Sequence, residues 1–185
     1  MTRAAAISSS IIAVFATSAT YVNAQTVWTG PDTSITQSDN APQSVTDVII
    51  PGIAELTRGN VGPLCNTALG DPCVKDPTNP SGIEFAFSGL SANAPFAYGN
   101  ASNFAGLIFN DLSTSLANSI GNNIVGRPGV AHVVASDVYF DIEFSGWQMG
   151  AGGGFAYRRS TVPEPSTLML AMLTITGLAA RSRPA

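Results

Sequence analysis

Asp137-Val138-Tyr139-Phe140-Asp141-Ile142-Glu143-Phe144-Ser145 decides the fold. Val138, Phe140, Ile142 and Phe144 alternate with Asp137, Tyr139, Asp141, Glu143 and Ser145. A period of two with one apolar and one polar face is the pattern of a half-buried β-strand. Residues 146–154 follow as a glycine-rich, flexible turn, and Phe155, Tyr157 and Arg159 resume the alternation, so residues 138–160 read as a hairpin. A preceding strand is expected over residues 130–135.

Upstream, residues 25–82 are rich in Pro, Gly, Asp, Asn and Thr, with short apolar runs at 27–28, 48–50 and 53–56. Such frequent punctuation describes short strands joined by turns. One segment dissents: Phe104, Ile108, Leu112, Leu116 and Ile120 recur every four residues. Asn110 or Asp111 can cap a helix there that runs to about Ser119 and closes at Gly121, while Leu107-Ile108-Phe109 can instead end a strand. The fold expected is mostly β, an antiparallel β-sandwich with one short helix, in a single domain over residues 25–161. An N-terminal signal peptide and a C-terminal apolar helix flank it.

The ends carry the address. Arg3 precedes an apolar stretch over residues 4–19, and Val22-Asn23-Ala24 precedes Gln25. Small residues at these spacings suit signal peptidase, so cleavage is expected between Ala24 and Gln25 and the domain then enters an oxidising compartment. At the other end Val162-Pro163-Glu164-Pro165 leads into an uncharged stretch, residues 166–180, and then Arg181 and Arg183. As a helix at ~1.5 Å per residue this stretch is about 22 Å long, short of a ~30 Å hydrocarbon core. It reaches into the membrane as a short transmembrane helix, and Arg181 and Arg183 act as the stop-transfer charges that keep the domain outside. The prolines around Glu164 impose an extended segment that a protease can read along its backbone.

Residues 162–185 resemble the PEP-CTERM sorting tail of Gram-negative bacteria, with Pro163-Glu164-Pro165, a short apolar helix and terminal arginines in that order. The resemblance implies an exosortase as partner, transient anchorage to the membrane, and delivery to the cell surface or extracellular matrix of an exopolysaccharide producer. Residues 27–31, 54–59, 82–89, 130–147 and 152–161 are also similar to a domain of exported bacterial proteins with no assigned activity. That likeness implies a β-rich exported domain and transfers no catalytic residue.

Residues 25–161 hold eleven of the twelve acidic residues and five of the eight basic ones, a net charge of −6. With no Lys/Arg cluster to neutralise phosphates, nucleic acid is excluded as a partner. Cys65 and Cys73 are the only cysteines, and a disulfide between them is expected to contribute roughly 2–3 kcal/mol. Two thiolates and the single histidine, His132, fall short of a zinc site, so no metal ligands are assigned, and His132 reads as a core residue. Asp137, Tyr139, Asp141, Glu143 and Trp147 form a candidate ligand face, because an aromatic flanked by carboxylates is a sugar-binding pattern. Asp137, Asp141 and Glu143, with loop oxygens, and likewise Asp32, Asp39 and Asp47 in their loop, can offer oxygens to calcium, the one cofactor the sequence suggests. No catalytic residue and no enzyme activity are expected. The function expected is a binding or structural role outside the cell with extracellular polysaccharide as partner, the alternative being a glycan hydrolase that uses Asp141 and Glu143.

Changing Pro163, Glu164 and Pro165 together to alanine is expected to leave the tail attached to the exported protein, which intact mass measurement reads directly.

Overall fold

The computed structural model describes residues 25–44 and 46–162. The expected signal peptide up to Ala24, the motif residues Pro163, Glu164 and Pro165, the apolar stretch and Arg181 and Arg183 lie outside them. Among the described residues nine strands form: β1 (Thr26–Trp28), β2 (Asp32–Gln37), β3 (Asp47–Ile50), β4 (Ala54–Arg58), β5 (Leu64–Asn66), β6 (Ile83–Phe87), β7 (Pro128–Val133), β8 (Val138–Trp147) and β9 (Phe155–Ser160). Two four-residue helices, α1 (Leu112–Ser115) and α2 (Ile120–Asn123), lie between β6 and β7.

The larger sheet runs β2-β9-β8-β7-β6, and β1 joins it against β8; the smaller sheet runs β3-β4-β5. All pairings are antiparallel except β1 with β8, where Thr26, Val27 and Trp28 lie opposite Val138, Tyr139 and Phe140. One edge of β8 is thus shared, by β1 at its start and by β9 from Ile142 onward. Ser160 fills the junction: its Oγ accepts from the Asp141 N–H at 2.9 Å and donates to the Trp28 carbonyl at 2.7 Å.

Val138, Phe140, Ile142 and Phe144 point into one core shared by both sheets, with Trp28, Phe85, Phe87 and Tyr157 from the larger sheet and Leu56 and Leu64 from the smaller. The opposite face of β8 is not open along its length. Tyr139 and Val130 lie in a second apolar cluster under Phe96, Ala101, Phe104, Leu107 and Phe109. The half-buried strand expected from the alternation is therefore covered on both faces at its start, and only its C-terminal part keeps a solvated face.

Three boundaries differ from expectation, each for a local reason. Asp137 adopts φ 50° and closes a 3-10 turn over Val134–Ser136, so β8 starts at Val138 and β7 ends at Val133. The helix expected to run to Ser119 stops after Ser115, because Ala117 and Asn118 take positive φ (53° and 58°), a conformation that costs a non-glycine residue ~1 kcal/mol or more and cannot continue a helix. Asp111 does cap α1, its carboxylate accepting from the Thr114 N–H at 2.8 Å, whereas Gly121 lies inside α2 instead of closing the first helix. The third difference is a bulge between Phe144 and Gly146 in the β8–β9 ladder.

Asp47 and Arg159 join the sheets. Both are buried, and Arg159 donates from Nε to Asp47 Oδ2 at 2.7 Å and from Nη2 to Oδ1 at 2.8 Å. The Tyr157 hydroxyl donates to the same Oδ2 at 2.6 Å, and burial, with Asp47 beside it, raises the Tyr157 pKa far above its ordinary value. Cys65 on β5 is bonded to Cys73, which ties the loop after β5 back to the small sheet.

Asp47→Ala leaves the Arg159 guanidinium buried without its counter-charge, and removing one partner of such a pair costs ~3–5 kcal/mol. The urea midpoint is expected to fall accordingly, and an Asp47→Ala, Arg159→Met double variant is expected to recover part of the loss.

Candidate functional site

The residues expected to form one ligand face are distributed over three places. At the start of β8, Tyr139 is buried and stacks on His132 (centroids 4.2 Å apart) and on Phe104 (3.9 Å). Its hydroxyl bonds Asp137, and burial together with the Asp137 and Glu84 charges pushes its pKa up to about 12. His132 lies between Asp137 (Nε2 to Oδ1, 3.2 Å) and Glu84 (Nδ1 to Oε2, 3.6 Å). In mid-strand Asp141 is buried, and its Oδ1 accepts from the N–H groups of Gly99 and Ala101, both at 3.0 Å. Glu143, two residues on, is half-buried and pairs with Arg158 at 2.7 Å. The two carboxylates proposed for hydrolysis are thus each engaged with protein groups, one of them under a cover of residues 99–101.

Trp147 has left that face. A one-residue bulge shifts every following side chain to the other side of the sheet, and here it turns Trp147 toward the core, where it meets Phe144 edge-on with centroids 5.9 Å apart. At this end of the core the indole lines an open groove with two arms. One arm, ≈ 390 Å³, runs between Pro63, Lys75, Pro77, Ser113 and Ile120. The other, ≈ 460 Å³, runs past Arg58, Val61, Ile120, Asn122 and Met149. Both arms fall within the ~300–1,000 Å³ range of ordinary ligand clefts.

Arg58 holds the wall of the groove. Its guanidinium lies 3.7 Å over the Trp147 ring, and it donates to the carbonyls of Gly62 (2.9 Å), Gln148 (3.0 Å) and Gly154 (3.0 Å). Burial lowers its pKa to about 10, opposed by Asp39, so it remains charged at neutral pH. Gln37 completes the joint: its Oε1 accepts from the hydroxyls of Thr46 (2.7 Å) and Thr57 (2.9 Å), and its Nε2 donates to the Arg58 carbonyl at 2.7 Å.

The glycine-rich turn is packed into the same joint, contrary to the flexible loop expected from composition. Gly152, Gly153 and Gly154 are buried, and a Cβ on Gly153, already at φ 73°, would lie 2.2 Å from the Gly59 carbonyl oxygen. Only glycine permits that approach, so its role here is close backbone contact.

The acidic loop residues do not converge. Asp47 is committed to Arg159, Asp32 accepts from the Tyr98 hydroxyl at 2.9 Å and faces Arg158, and Asp39 packs against Gly152 and Gly154. Among the described residues no group of three or more His, Cys, Asp and Glu side chains is placed to hold a metal. Sequence reasoning named Trp147 but missed Arg58, Lys75 and Ile120 as its neighbours, since pairings between the two sheets leave no local signal.

Residues 161–183 match the PEP-CTERM protein-sorting motif. The chain therefore carries a PEP-CTERM sorting domain at its C-terminal end, as its prolines and arginines led one to expect, and the motif implies export and processing by an exosortase. No curated protein and no solved structure matches the chain. Among the described residues no helix is long and apolar enough to cross a membrane.

Asp141 supplies a pH test of the buried mid-strand. Burial raises its pKa, opposed by the backbone N–H groups of residues 99–101. A carboxyl whose folded pKa exceeds its unfolded value (~3.9) contributes stability that is fully present below that value and lost as pH rises through the folded pKa. Asp141→Asn is therefore expected to gain stability relative to the parent between pH 4 and pH 7, read as the change in the difference of urea midpoints.

Proposed function

We propose that this is an exported protein, sorted through its C-terminal motif to the cell surface or extracellular matrix, whose folded domain binds polysaccharide there. The observation that carries the binding reading is the groove at Trp147: an indole fixed by Arg58 on one side and Phe144 on another, facing a two-armed open cleft. Aromatic rings held rigid in this way offer a flat apolar surface to sugar C–H faces, while the Asn122 carboxamide and the Ser113 and Ser119 hydroxyls line the groove as polar groups for sugar hydroxyls. An open groove suits a chain that enters and leaves at both ends better than a small molecule enclosed on all sides. The sorting motif supports the same reading, because it implies export and sorting to the cell envelope or surface.

Co-sedimentation of the exported protein with extracellular polysaccharide from the cells that make it tests this. Trp147→Ala is expected to weaken binding about tenfold, the equivalent of ~1.4 kcal/mol, with or without calcium. Glu143→Gln, on the solvated face of β8, is expected to leave binding unchanged. Equal binding by parent and Trp147→Ala would move the ligand away from the groove.

A further inference from the structure

The folded domain contains five cationic side chains, and four of them are consumed by the fold. Arg159 is paired with Asp47, and Arg158 with Glu143 and Asp32. Arg127 donates to the carbonyls of Asn123 (2.9 Å) and Ser88 (2.7 Å). Arg58 is spread over three carbonyls and the Trp147 ring. The remaining cation is Lys75, the only lysine in the chain. It is exposed, lines both arms of the groove, and makes no hydrogen bond or ion pair among the described residues.

A domain of net charge −6 that sets its one lysine, uncommitted among the described residues, beside a groove with a rigid indole offers a positive charge there against a surface of mostly opposite sign. Acidic ligands meet repulsion elsewhere and a point of attraction here. Arg58 adds to this, since it lines the second arm and its Nη2 makes no hydrogen bond among the described residues. Asp76, the acidic residue that lines the first arm, is turned onto its own loop: Oδ1 accepts from the Thr78 N–H at 2.9 Å and the Thr78 hydroxyl at 2.7 Å. These bonds hold the Asp76 carboxyl below the usual range, so it stays charged, with Oδ1 occupied by its own loop.

Resting on the polysaccharide reading above, we propose that the ligand is an anionic glycan of the polyuronate class, with a ring carboxylate at the Lys75 ammonium and a sugar face against Trp147. Lys75 sets the sign of the ligand's charge and Trp147 its ring character. A neutral chain satisfies the indole but leaves Lys75 solvated, and a small carboxylate satisfies Lys75 but leaves the indole bare.

The test measures binding of the exported protein to polygalacturonate, to dextran and to dextran sulfate of similar length, for the parent and for Lys75→Gln, Lys75→Arg and Trp147→Ala. Lys75 is exposed and unpaired, so its replacement leaves the fold intact. Polygalacturonate is expected to bind in preference to dextran, to weaken as salt rises, and to lose about tenfold in Lys75→Gln, the loss of one charge-assisted contact. Lys75→Arg is expected to restore it. Polygalacturonate binding that is unchanged in Lys75→Gln overturns the inference. Dextran bound as tightly as polygalacturonate, with loss in Trp147→Ala alone, overturns the inference and leaves the polysaccharide reading in place. Preference for dextran sulfate over polygalacturonate overturns the carboxylate assignment. Failure of the parent to bind any of the three, together with failure to sediment with the native polysaccharide, removes both the inference and the reading beneath it.

Discussion

The buried ion pair between Asp47 and Arg159 is the constraint from which most of the molecule follows. A carboxylate and a guanidinium cannot be taken out of water singly, and their mutual attraction repays desolvation only when the geometry is bidentate and the remaining lone pairs are satisfied. Here both conditions are met, with two Arg159 bonds and the Tyr157 hydroxyl on one carboxylate. Because Asp47 belongs to the small sheet and Arg159 and Tyr157 to the large one, the pair fixes the distance and register between them. Leu56 and Leu64 then share one buried core with Phe140 and Phe144.

A second polar joint, at the same end of the small sheet as Asp47, determines where the groove lies. Gln37 at the end of β2 and Arg58 at the end of β4 bind one another and the backbone of the glycine-rich turn. The turn can be drawn in so closely because its glycines let main chain lie on main chain. The Arg58 guanidinium then has one face left, and Trp147 covers it. The ring is immobilised by a group that is itself immobilised, so the indole has little conformational freedom left to lose. The cleft beside it exists because α1 and α2, short as they are, stand off from the loop after β5.

The β8–β9 hairpin was legible in the sequence because its alternation is local, and so was the Asp111 cap, which needs three neighbouring residues. The disulfide between Cys65 and Cys73 was legible from the absence of other cysteines. The bulge before Gly146 was not: nothing in Phe144-Ser145-Gly146-Trp147 distinguishes a regular strand from one that slips a residue, and that slip decides which face Trp147 joins. The cover over Tyr139 and Asp141 was also hidden, since Phe104, Leu107 and Phe109 come from a segment whose four-residue spacing imitates a helix. The ion pair did leave a trace. Arg159 falls in phase with Phe155 and Tyr157, and a charged residue on an apolar stripe announces a buried partner elsewhere in the chain.

The two termini of the folded domain meet at the base of the sorting motif. β9 ends at Ser160 and the motif begins at Thr161, so no linker separates them. Thr161 is held by backbone and side chain: its carbonyl accepts from the Gly30 N–H at 2.9 Å and its hydroxyl donates to the Pro31 carbonyl at 2.7 Å. A Cβ on Gly30 would lie 2.3 Å from the Val162 carbonyl oxygen, so glycine there is what lets the outgoing chain pass. The incoming chain thus clamps the outgoing one through Trp28, Gly30 and Pro31. A cut beyond Val162 leaves every one of these bonds in place, whereas a cut between Ser160 and Val162 would release the end of the strand that carries Arg159. The same strand that locks the two sheets together is therefore the one from which the sorting motif departs, and removal of the motif after Val162 costs the fold none of its buried charge pairing.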